Sequence, residues 1–319
     1  MSKFRVIVTE PINVKGVEYL RDKGVEVVEL PPGSKEEDLL DRVGDTDGLI
    51  TRGSIKVTRE MMERSARLRV VGVHGIGCDH VDLKAAEELG RVVCNTPDAL
   101  TVTVAEMAMA LTLAAFRNVV AADKAVRAGQ WNRKYGDLIG LELAGKTVGV
   151  VGLGRIGAAT AKRLKAFDAE VAYWSRTRKP ETEEKLGIRW MELDELLSRS
   201  DIISLHLPGT TDTHHIIGER ELGLMKAGVI IVNTARGRVI DEEALTRALK
   251  SGKIRAAALD VFEKEPLPAD SPLRTMNNVI LTPHLGASNL EGMQRMAVQV
   301  AEGVYKVLTG HRPDNPVVI

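Results

Sequence analysis

Residues 148–164 read VGVVGLGRIGAATAKRL, which joins a short β-branched run to a pattern typical of a helix. Between the two lie Gly152, Gly154 and Gly157 in the spacing G-x-G-x-x-G. In such a turn the first glycine permits the tight bend, the second lets a pyrophosphate approach the backbone, and the third lets helix and strand pack closely. The helix N-terminus then faces the phosphates. The segment therefore predicts a dinucleotide-binding βαβ unit, and the alternative is a chance glycine-rich turn.

Strand-like runs recur on both sides of this turn. The first third of the chain contains RVIVT, VEVVEL, GLIT, RVVGV and VVCN, and the later part contains KTVGVVGLG, AEVAYW, DIISLHLP, GVIIVNTA, IRAAALDV and NNVILTPH. Helical segments alternate with these runs, which predicts an α/β protein with two doubly wound parallel sheets, the second of six buried strands. The segment from Asp98 to about Gly129 predicts one long connecting helix, and the helical tail is expected to pack on the first domain.

Length and composition limit the class of protein. At 319 residues the chain suits two domains. Its 44 Lys plus Arg balance 44 Asp plus Glu, so the chain has no net positive charge that would attract it to nucleic acid or to an anionic membrane. The apolar run Val104–Val120 contains charged residues and predicts a core helix, and the N-terminus lacks a signal peptide, so we expect a cytoplasmic protein. Cys78 and Cys94 lack metal-ligand spacing, and no metal site is expected.

A basic loop follows the second strand of the dinucleotide unit. Sites for NAD usually carry an acidic residue there, which binds the ribose hydroxyls. This chain has Ser175, Arg176, Thr177 and Arg178 instead. Hydroxyls and cations suit a ribose 2′-phosphate, so NADP(H) is favoured and NAD(H) remains possible. The alternative is a solvated basic loop.

Three later segments, NTARGRVIDEEAL, LDVFEKEPLP and NVILTPHLGAS, follow strands at the edge where an open sheet binds its ligands. Arg236 offers a fork of donors that suits the carboxylate of a 2-oxo acid. His284, as an imidazolium, could give its proton to the carbonyl oxygen as a hydride arrives. Glu265 would orient that ring and raise its pKa. The pattern predicts a reductase of 2-oxo acids.

These segments and the glycine turn resemble the D-isomer-specific 2-hydroxyacid dehydrogenase family over essentially the whole chain. The motifs are N-T-A-R-G, D-V-F-x-x-E-P and T-P-H-x-G-A. The resemblance implies a Rossmann NAD(P)-binding domain, residues 99–285, inserted into a discontinuous flavodoxin-like substrate domain, residues 1–98 and 286–319. It also implies an NAD(P)-dependent oxidoreductase acting on CH–OH groups, with Arg236 on the substrate carboxylate and Glu265 with His284 as the acid-base pair.

The same resemblance assigns residues to the cofactor and to the substrate. Backbone groups of Arg155 and Ile156 would take the pyrophosphate, and Asp260 would contact the carboxamide. The other residues expected beside the nicotinamide are His206, Leu207, Pro208, Thr234, Ala235, His284 and Gly286. In VHGIGCDHVD, Gly75, Ile76 and Gly77 would bind the substrate, with the backbone N–H groups of Ile76 and Gly77 on its carboxylate. A helix around Thr103–Arg117 would support a homodimer, as in relatives.

The substrate is less sharply indicated. Arg52 and Ser54, in LITRGSIKVTRE, resemble the phosphoglycerate dehydrogenase loop that meets a second anionic group, although Gly53 departs from it and Arg52 could instead cap the loop in solvent. The basic loop of residues 175–178 agrees better with NADP-linked glyoxylate and hydroxypyruvate reductases than with phosphoglycerate dehydrogenase. We therefore expect hydroxypyruvate or glyoxylate, and the alternative is a doubly anionic acid such as phosphohydroxypyruvate or sulfopyruvate. With the chain ending at Ile319, no serine-regulated domain is expected.

Two further alternatives belong to other classes of activity. One branch of this fold family senses nicotinamide redox state as a binding protein, and complete catalytic residues argue against that function here. A formate or phosphite oxidiser ranks last, because formate-oxidising relatives carry glutamine where this chain has Glu265.

Overall fold

The computed structural model describes residues 4–318, which form two compact units. The described parts of Met1–Leu100 and Ala287–Ile319 make up the first unit, and Thr101–Gly286 makes up the second. Each unit is built on one sheet of parallel strands, with five strands in the first and seven in the second. The predicted α/β class with two parallel sheets is confirmed.

Strands and helices alternate along most of the chain. The strands are β1 (Arg5–Val8), β2 (Glu26–Glu29), β3 (Gly48–Thr51), β4 (Val70–Val73), β5 (Val92–Cys94), β6 (Thr147–Val151), β7 (Glu170–Trp174), β8 (Arg189–Trp190), β9 (Ile202–Leu205), β10 (Val229–Asn233), β11 (Ile254–Leu259) and β12 (Val279–Leu281). The helices are α1 (Val14–Asp22), α2 (Glu36–Leu40), α3 (Arg59–Arg64), α4 (Leu83–Glu88), α5 (Thr101–Phe116), α6 (Val119–Arg127), α7 (Arg155–Ala166), α8 (Pro180–Leu186), α9 (Leu193–Arg199), α10 (Glu219–Leu224), α11 (Glu242–Lys250) and α12 (Leu290–Leu308).

The first sheet has the strand order β2-β1-β3-β4-β5 and is covered on both faces. Helices α1 and α12 pack on one face, where Leu20, Val300 and Val304 are buried with strand residues. The other face carries α2, α3 and α4. Gly72 in β4 permits the close approach of α12, because a Cβ there would lie 2.6 Å from a methyl group of Val304. The C-terminal helix therefore belongs to the first unit, as the sequence predicts.

The second sheet has the order β12-β11-β10-β9-β6-β7-β8, and it differs from the prediction at both edges. The six predicted strands are present, but β8 is a seventh that was not predicted, because Arg189–Trp190 has only two residues and shows no periodicity. Strand β12 is only partly buried, since it pairs with β11 alone, so the prediction of six buried strands was wrong there. Helices α5 and α7 cover one face and α9, α10 and α11 the other.

The prediction of one long connecting helix was wrong. Helices α5 and α6 are separate and meet at an angle of 60°. Between them Asn118 has a φ of 52°, a left-handed conformation that asparagine tolerates better than most residues, and its side-chain amide donates a hydrogen bond to the Ile139 carbonyl at 3.2 Å. Over residues 4–318 no single helix is long and apolar enough to cross a membrane, and α5 with α6 reaches that length and composition only across the bend.

Candidate active site

The glycine turn lies between β6 and α7, and each of its glycines has a different constraint. Gly152 has a φ of 99°, and a Cβ there would lie 2.7 Å from the His206 carbonyl oxygen. A Cβ on Gly157 would lie 2.0 Å from the Gly152 carbonyl oxygen. Gly154 is the N-cap of α7, and a Cβ there would meet nothing within 4 Å. Two glycines thus allow close packing, and the third leaves open space at a helix N-terminus, which fits a pyrophosphate.

The segment after β9 lies beside this turn, because β6 and β9 are neighbouring strands. The N–H of His206 donates to the Val151 carbonyl at 2.8 Å, and its ring Nε2 lies 2.9 Å from the Ser204 hydroxyl. Burial lowers the pKa of His206 to about 4, so its ring is neutral near pH 7. Leu207 and Pro208 continue the segment along the same edge of the sheet. Its burial and its contact with Ser204 make His206 a weaker candidate for a proton donor than His284.

The loop after β10 carries Arg236, and Asn233 holds its shape. The Asn233 side-chain oxygen accepts from the Ala235 N–H at 3.0 Å, and its amide nitrogen donates to the Arg236 carbonyl at 2.9 Å. These two contacts of Asn233 were not predicted from the sequence. The buried hydroxyl of Thr234 has no hydrogen-bond partner among residues 4–318. Buried polar groups are nearly always paired, so this hydroxyl fits a contact with a bound cofactor.

In the ribose loop, Arg178 is already engaged within the protein. Its guanidinium donates to both carboxylate oxygens of Glu183 at 2.9 Å, and the Tyr173 hydroxyl donates to the same carboxylate at 2.7 Å. Hydrogen bonding to Arg178 lowers the pKa of Glu183 to about 2. A 2′-phosphate would therefore compete with Glu183 for this cation.

Arg176 is held less firmly. Its side chain is 86% exposed, and its guanidinium lies 3.5 Å from the Asp212 carboxylate. An ion pair between two such exposed side chains contributes little to stability. Ser175 turns its hydroxyl to the Thr177 carbonyl at 2.7 Å. Both arginines are exposed, but only Arg178 makes two short bonds to a carboxylate, so Arg176 is the one of the two that is less engaged within the protein.

His284 and Glu265 form a hydrogen-bonded pair at the edge of the sheet. The Nδ1 atom of His284 lies 2.7 Å from Oε2 of Glu265, and Oε1 of Glu265 accepts from the Phe262 N–H at 3.0 Å. The hydrogen bond to Glu265 raises the pKa of His284, although burial and Arg236 oppose the rise. Burial alone would raise the pKa of Glu265, but the bonds from His284 and Phe262 lower it overall. Arg236 is close enough to act on both groups.

Asp260 organises the loop that bears His284. Its side chain is fully buried, and one carboxylate oxygen accepts from the Thr282 hydroxyl at 2.5 Å and the Leu285 N–H at 2.8 Å. The other oxygen accepts from the Gly286 N–H at 2.7 Å. The Asp260 carbonyl also accepts from the His284 N–H at 2.9 Å. Asp260 therefore fixes the backbone of the loop that carries His284. Its contact with the carboxamide of the cofactor remains a prediction.

A second histidine and carboxylate pair lies in the same unit. His215 pairs with Glu263 and stacks on His214, with ring centroids 3.9 Å apart. Glu263 is two residues from Glu265 in sequence, and the structure gives the two carboxylates different partners. Among residues 4–318 no group of three His, Cys, Asp or Glu side chains could hold a metal ion.

In the first unit, the predicted substrate loop is tied to the end of β1. Oε2 of Glu10 accepts from the Arg52 N–H at 2.9 Å, and Oε1 accepts from the Ser54 N–H at 2.6 Å. The Arg52 guanidinium donates to the Pro11 carbonyl at 2.6 Å. These contacts of Glu10 were not predicted from the sequence, because they join residues more than 40 positions apart.

The loop after β4 is held through its carbonyl groups. The Gly75 carbonyl accepts from the Thr96 N–H at 2.9 Å, and the Ile76 carbonyl accepts from the Asn95 side chain at 2.8 Å. In a trans peptide the N–H points opposite to the preceding carbonyl, so the N–H groups of Ile76 and Gly77 are directed away from Asn95 and Thr96. This orientation is compatible with binding a carboxylate.

Comparison with known proteins agrees with this architecture. Residues 109–286 match the D-isomer specific 2-hydroxyacid dehydrogenase, NAD binding domain. The chain is 46% identical over 314 residues to a D-3-phosphoglycerate dehydrogenase of Methanocaldococcus jannaschii, covering 98% of this chain but 59% of that protein. It is 42% identical over 320 residues to a glyoxylate reductase of Thermofilum pendens, covering 98% and 94% of the two chains.

A solved structure extends the likeness to the whole described fold. It is an NADPH-dependent glyoxylate/hydroxypyruvate reductase from Sinorhizobium meliloti in complex with NADP and malonate, 32% identical, with a TM-score of 0.88 and coverage of 99% of this chain and 97% of that one. The chain belongs to the D-isomer specific 2-hydroxyacid dehydrogenase family, and it carries that family's NAD(P)-binding domain. It spans about three fifths of the length of the archaeal phosphoglycerate dehydrogenase that it matches.

Proposed function

We propose that this chain is a D-2-hydroxyacid dehydrogenase that works as a 2-oxoacid reductase and moves a hydride between NAD(P)H and a small 2-oxo acid. The hydrogen bond of 2.7 Å between His284 Nδ1 and Glu265 Oε2 is the observation that carries the proposal. It keeps the ring protonated to higher pH than usual, beside a guanidinium that suits a carboxylate.

In this proposal each catalytic side chain has one task. Because Nδ1 of His284 faces Glu265, Nε2 is the atom that donates a proton to the carbonyl oxygen, and in the reverse direction the neutral ring takes that proton back. Glu265 fixes the tautomer and stabilises the imidazolium. Arg236 binds the substrate carboxylate and orients the carbonyl carbon. The bound nicotinamide supplies or accepts the hydride.

We assign the cofactor to the edge of the second sheet. Gly154 with the first N–H groups of α7, at Arg155 and Ile156, would hold the pyrophosphate. The residues assigned to the nicotinamide side are those predicted from the sequence, namely His206, Leu207, Pro208, Thr234, Ala235, Asp260 and Gly286. The exposed cation at Arg176 supports NADP(H) over NAD(H), and the Sinorhizobium relative is described as NADPH-dependent.

Hydroxypyruvate and glyoxylate are the substrates that we propose first. Support comes from relatives described as glyoxylate reductases whose whole length this chain nearly covers. The second candidate is a phosphoglycerate dehydrogenase-like enzyme acting on a doubly anionic 2-oxo acid, which Arg52 and the 46% identical relative favour. In either case the N–H groups of Ile76 and Gly77 would bind the carboxylate, whereas the Gly75 N–H already donates to the Val73 carbonyl at 2.9 Å.

We also propose a homodimer formed through the second unit, and a cytoplasmic location. Large apolar side chains are exposed just after α5: Val119 at 53%, Val126 at 56%, Trp131 at 62%, Tyr135 at 75% and Ile139 at 61%. Exposed apolar side chains that form a contiguous patch are typical of a protein interface, and the proposal is that these residues do so. A mass near twice 34.7 kDa by light scattering would support the dimer, and the monomer mass would contradict it.

A spectrophotometric screen tests the proposed activity. Glyoxylate, hydroxypyruvate, phosphohydroxypyruvate, sulfopyruvate and 2-oxoglutarate are each offered with NADPH and with NADH. His284→Ala should lower kcat by about 10²- to 10⁴-fold, because the proton donor is lost, while NADPH still binds. His214→Ala is the control, and its kcat should match that of the wild type. Nearly full turnover by His284→Ala, or no turnover of any acid by the wild type, would contradict the proposal.

A further inference from the structure

Two loops of the second unit meet backbone to backbone. Arg236 lies on the loop after β10 and Glu265 on the loop after β11, and both loops leave the sheet at the same edge because these strands are parallel neighbours. Gly237 lies against the peptide that joins Phe262 to Glu263. A Cβ on Gly237 would lie 1.8 Å from the Phe262 carbonyl carbon and 2.3 Å from the Glu263 nitrogen.

This contact requires glycine for space and not for backbone conformation. Gly237 does not have a positive φ, so an L side chain could adopt its backbone conformation. The neighbouring peptide is what excludes a side chain. Carbon atoms in contact normally lie about 3.5–4.0 Å apart, so a methyl group on Gly237 would push the two loops apart by more than about 1 Å. The glycine therefore sets the spacing between the loops.

Glu242 holds the same peptide from the other side of the β10 loop. It is the first residue of α11, whose Leu245 and Leu249 are buried in the core of the second unit. Its Oε2 atom accepts from the Glu263 N–H at 3.2 Å. Burial raises the pKa of Glu242, and the bond from the Glu263 N–H opposes this rise because it stabilises the carboxylate. The peptide is therefore tied to an anchored helix.

The peptide is connected to the acid-base pair through two hydrogen bonds. The Phe262 N–H donates to Oε1 of Glu265 at 3.0 Å, and Oε2 of the same carboxylate lies 2.7 Å from Nδ1 of His284. The other charged groups that act on the His284 ring are Arg236 and Asp260. A displacement of Phe262 would weaken the first bond and turn the carboxylate relative to the ring.

We propose that Gly237 and Glu242 are positioning residues for the acid-base pair, because they hold the Phe262–Glu263 peptide and through it set the position of Glu265 against His284. This inference rests on the proposed function and adds two residues to its machinery. Since Gly237 directly follows Arg236, the same contact keeps the guanidinium and the pair at a fixed spacing. Neither residue touches the reacting atoms.

Gly237→Ala tests the contact between the loops. A misplacement of about 1 Å in a catalytic group can cost about 10²-fold, so kcat for reduction should fall about 10- to 100-fold. The Kd for NADPH should stay near that of the wild type, because the glycine turn between β6 and α7 is not altered. Gly223→Ala is the matched control, since a Cβ on this glycine of α10 would meet nothing within 4 Å. Its kcat and Tm should match or exceed those of the wild type.

Glu242→Ala removes the hydrogen bond to the Glu263 N–H and decides the matter if Gly237→Ala does not fold. The expected loss in kcat/KM is about two- to tenfold, which corresponds to one hydrogen bond. Glu242→Gln keeps an acceptor oxygen and should recover part of this loss. Glu243→Ala is the control, because it removes an exposed carboxylate one position along the same helix. Its kcat/KM should match that of the wild type.

An NMR titration separates this inference from the proposed activity. The pKa of His284 is measured in protein labelled at the histidine Cε1 position, and His284→Ala identifies its signal. The pKa should fall in Gly237→Ala and in Glu242→Ala but not in the two controls, because the bond to Glu265 is the largest cause of its rise. If the wild type reduces none of the acids but these differences appear, the proposed function falls and the positioning stands. An unchanged pKa in the folded variants, or an equal fall in the controls, overturns the positioning.

Discussion

Replacing Glu265 by glutamine isolates the charge that acts on the ring of His284. The two side chains are close in size, so the variant keeps a hydrogen-bond acceptor near Nδ1, where the carboxylate oxygen lies at 2.7 Å. What changes is the charge of the acceptor. Because that hydrogen bond is the largest cause of the raised pKa of His284, the pKa should fall in Glu265→Gln.

The size of the effect follows from the geometry. A hydrogen bond to a charged group is worth about 1.5–3 kcal/mol and a neutral one about 0.5–1.5 kcal/mol. The side chains of His284 and Glu265 are 49% and 36% exposed, so solvent screens the charge and the lower end of the difference applies. A loss of about 1 kcal/mol from the transition state lowers kcat/KM for reduction about fivefold at the pH optimum.

The pH profiles supply the decisive measurement. Reduction needs the protonated ring, so its rate falls as pH rises through the pKa of His284, and in Glu265→Gln this fall should begin at lower pH. Oxidation of the 2-hydroxy acid needs the neutral ring, so its rising limb should move to lower pH as well. Glu263→Gln is the matched control, because that carboxylate pairs with His215. Unmoved limbs in Glu265→Gln, or equal movement in the control, would refute the acid-base assignment.

Two further pairs of variants test the cofactor site. Arg176→Ala should raise KM for NADPH about tenfold more than KM for NADH, because a charged contact to the 2′-phosphate is lost, and Arg178→Ala should have the smaller effect because Glu183 already engages that cation; equal effects on both cofactors would remove the preference. Gly157→Ala forces a Cβ to 2.0 Å from a backbone oxygen and should lower stability by about 1–3 kcal/mol or more. Gly154→Ala meets open space, so its Tm should stay near that of the wild type while the Kd for the cofactor rises; an unchanged Kd would contradict pyrophosphate binding there.

The sheets could be predicted because buried parallel strands have a strong sequence signal. Strand β10, Val229–Asn233, is buried at every position and consists almost entirely of β-branched residues. Strand β8, with two residues, has no such signal. The break at Asn118 was missed for a related reason: asparagine prefers the left-handed conformation only weakly, and the neighbouring residues favour helix.

In the candidate site, residue types could be predicted but not their partners. The motif D-V-F-x-x-E-P marked Glu265, and the structure pairs Glu265 with His284. Glu183 lies on α8, and its hydrogen bonds with Arg178 depend on how this helix packs against the loop of residues 175–178. The composition of the loop does not indicate that packing. The hydrogen bonds from the Arg52 and Ser54 N–H groups to Glu10 depend on β1 and β3 being neighbours, so they could be predicted only once the sheet order is known.

The backbone of His284 has a consequence for how this protein can change. Its φ is 53°, held by N–H contacts to the Asp260 carbonyl at 2.9 Å and the Thr282 carbonyl at 3.0 Å. A non-glycine residue in that region costs about 1–3 kcal/mol. Selection for stability alone would place glycine at this position. The proposed proton donor therefore sits in a backbone conformation that lowers the stability of the fold.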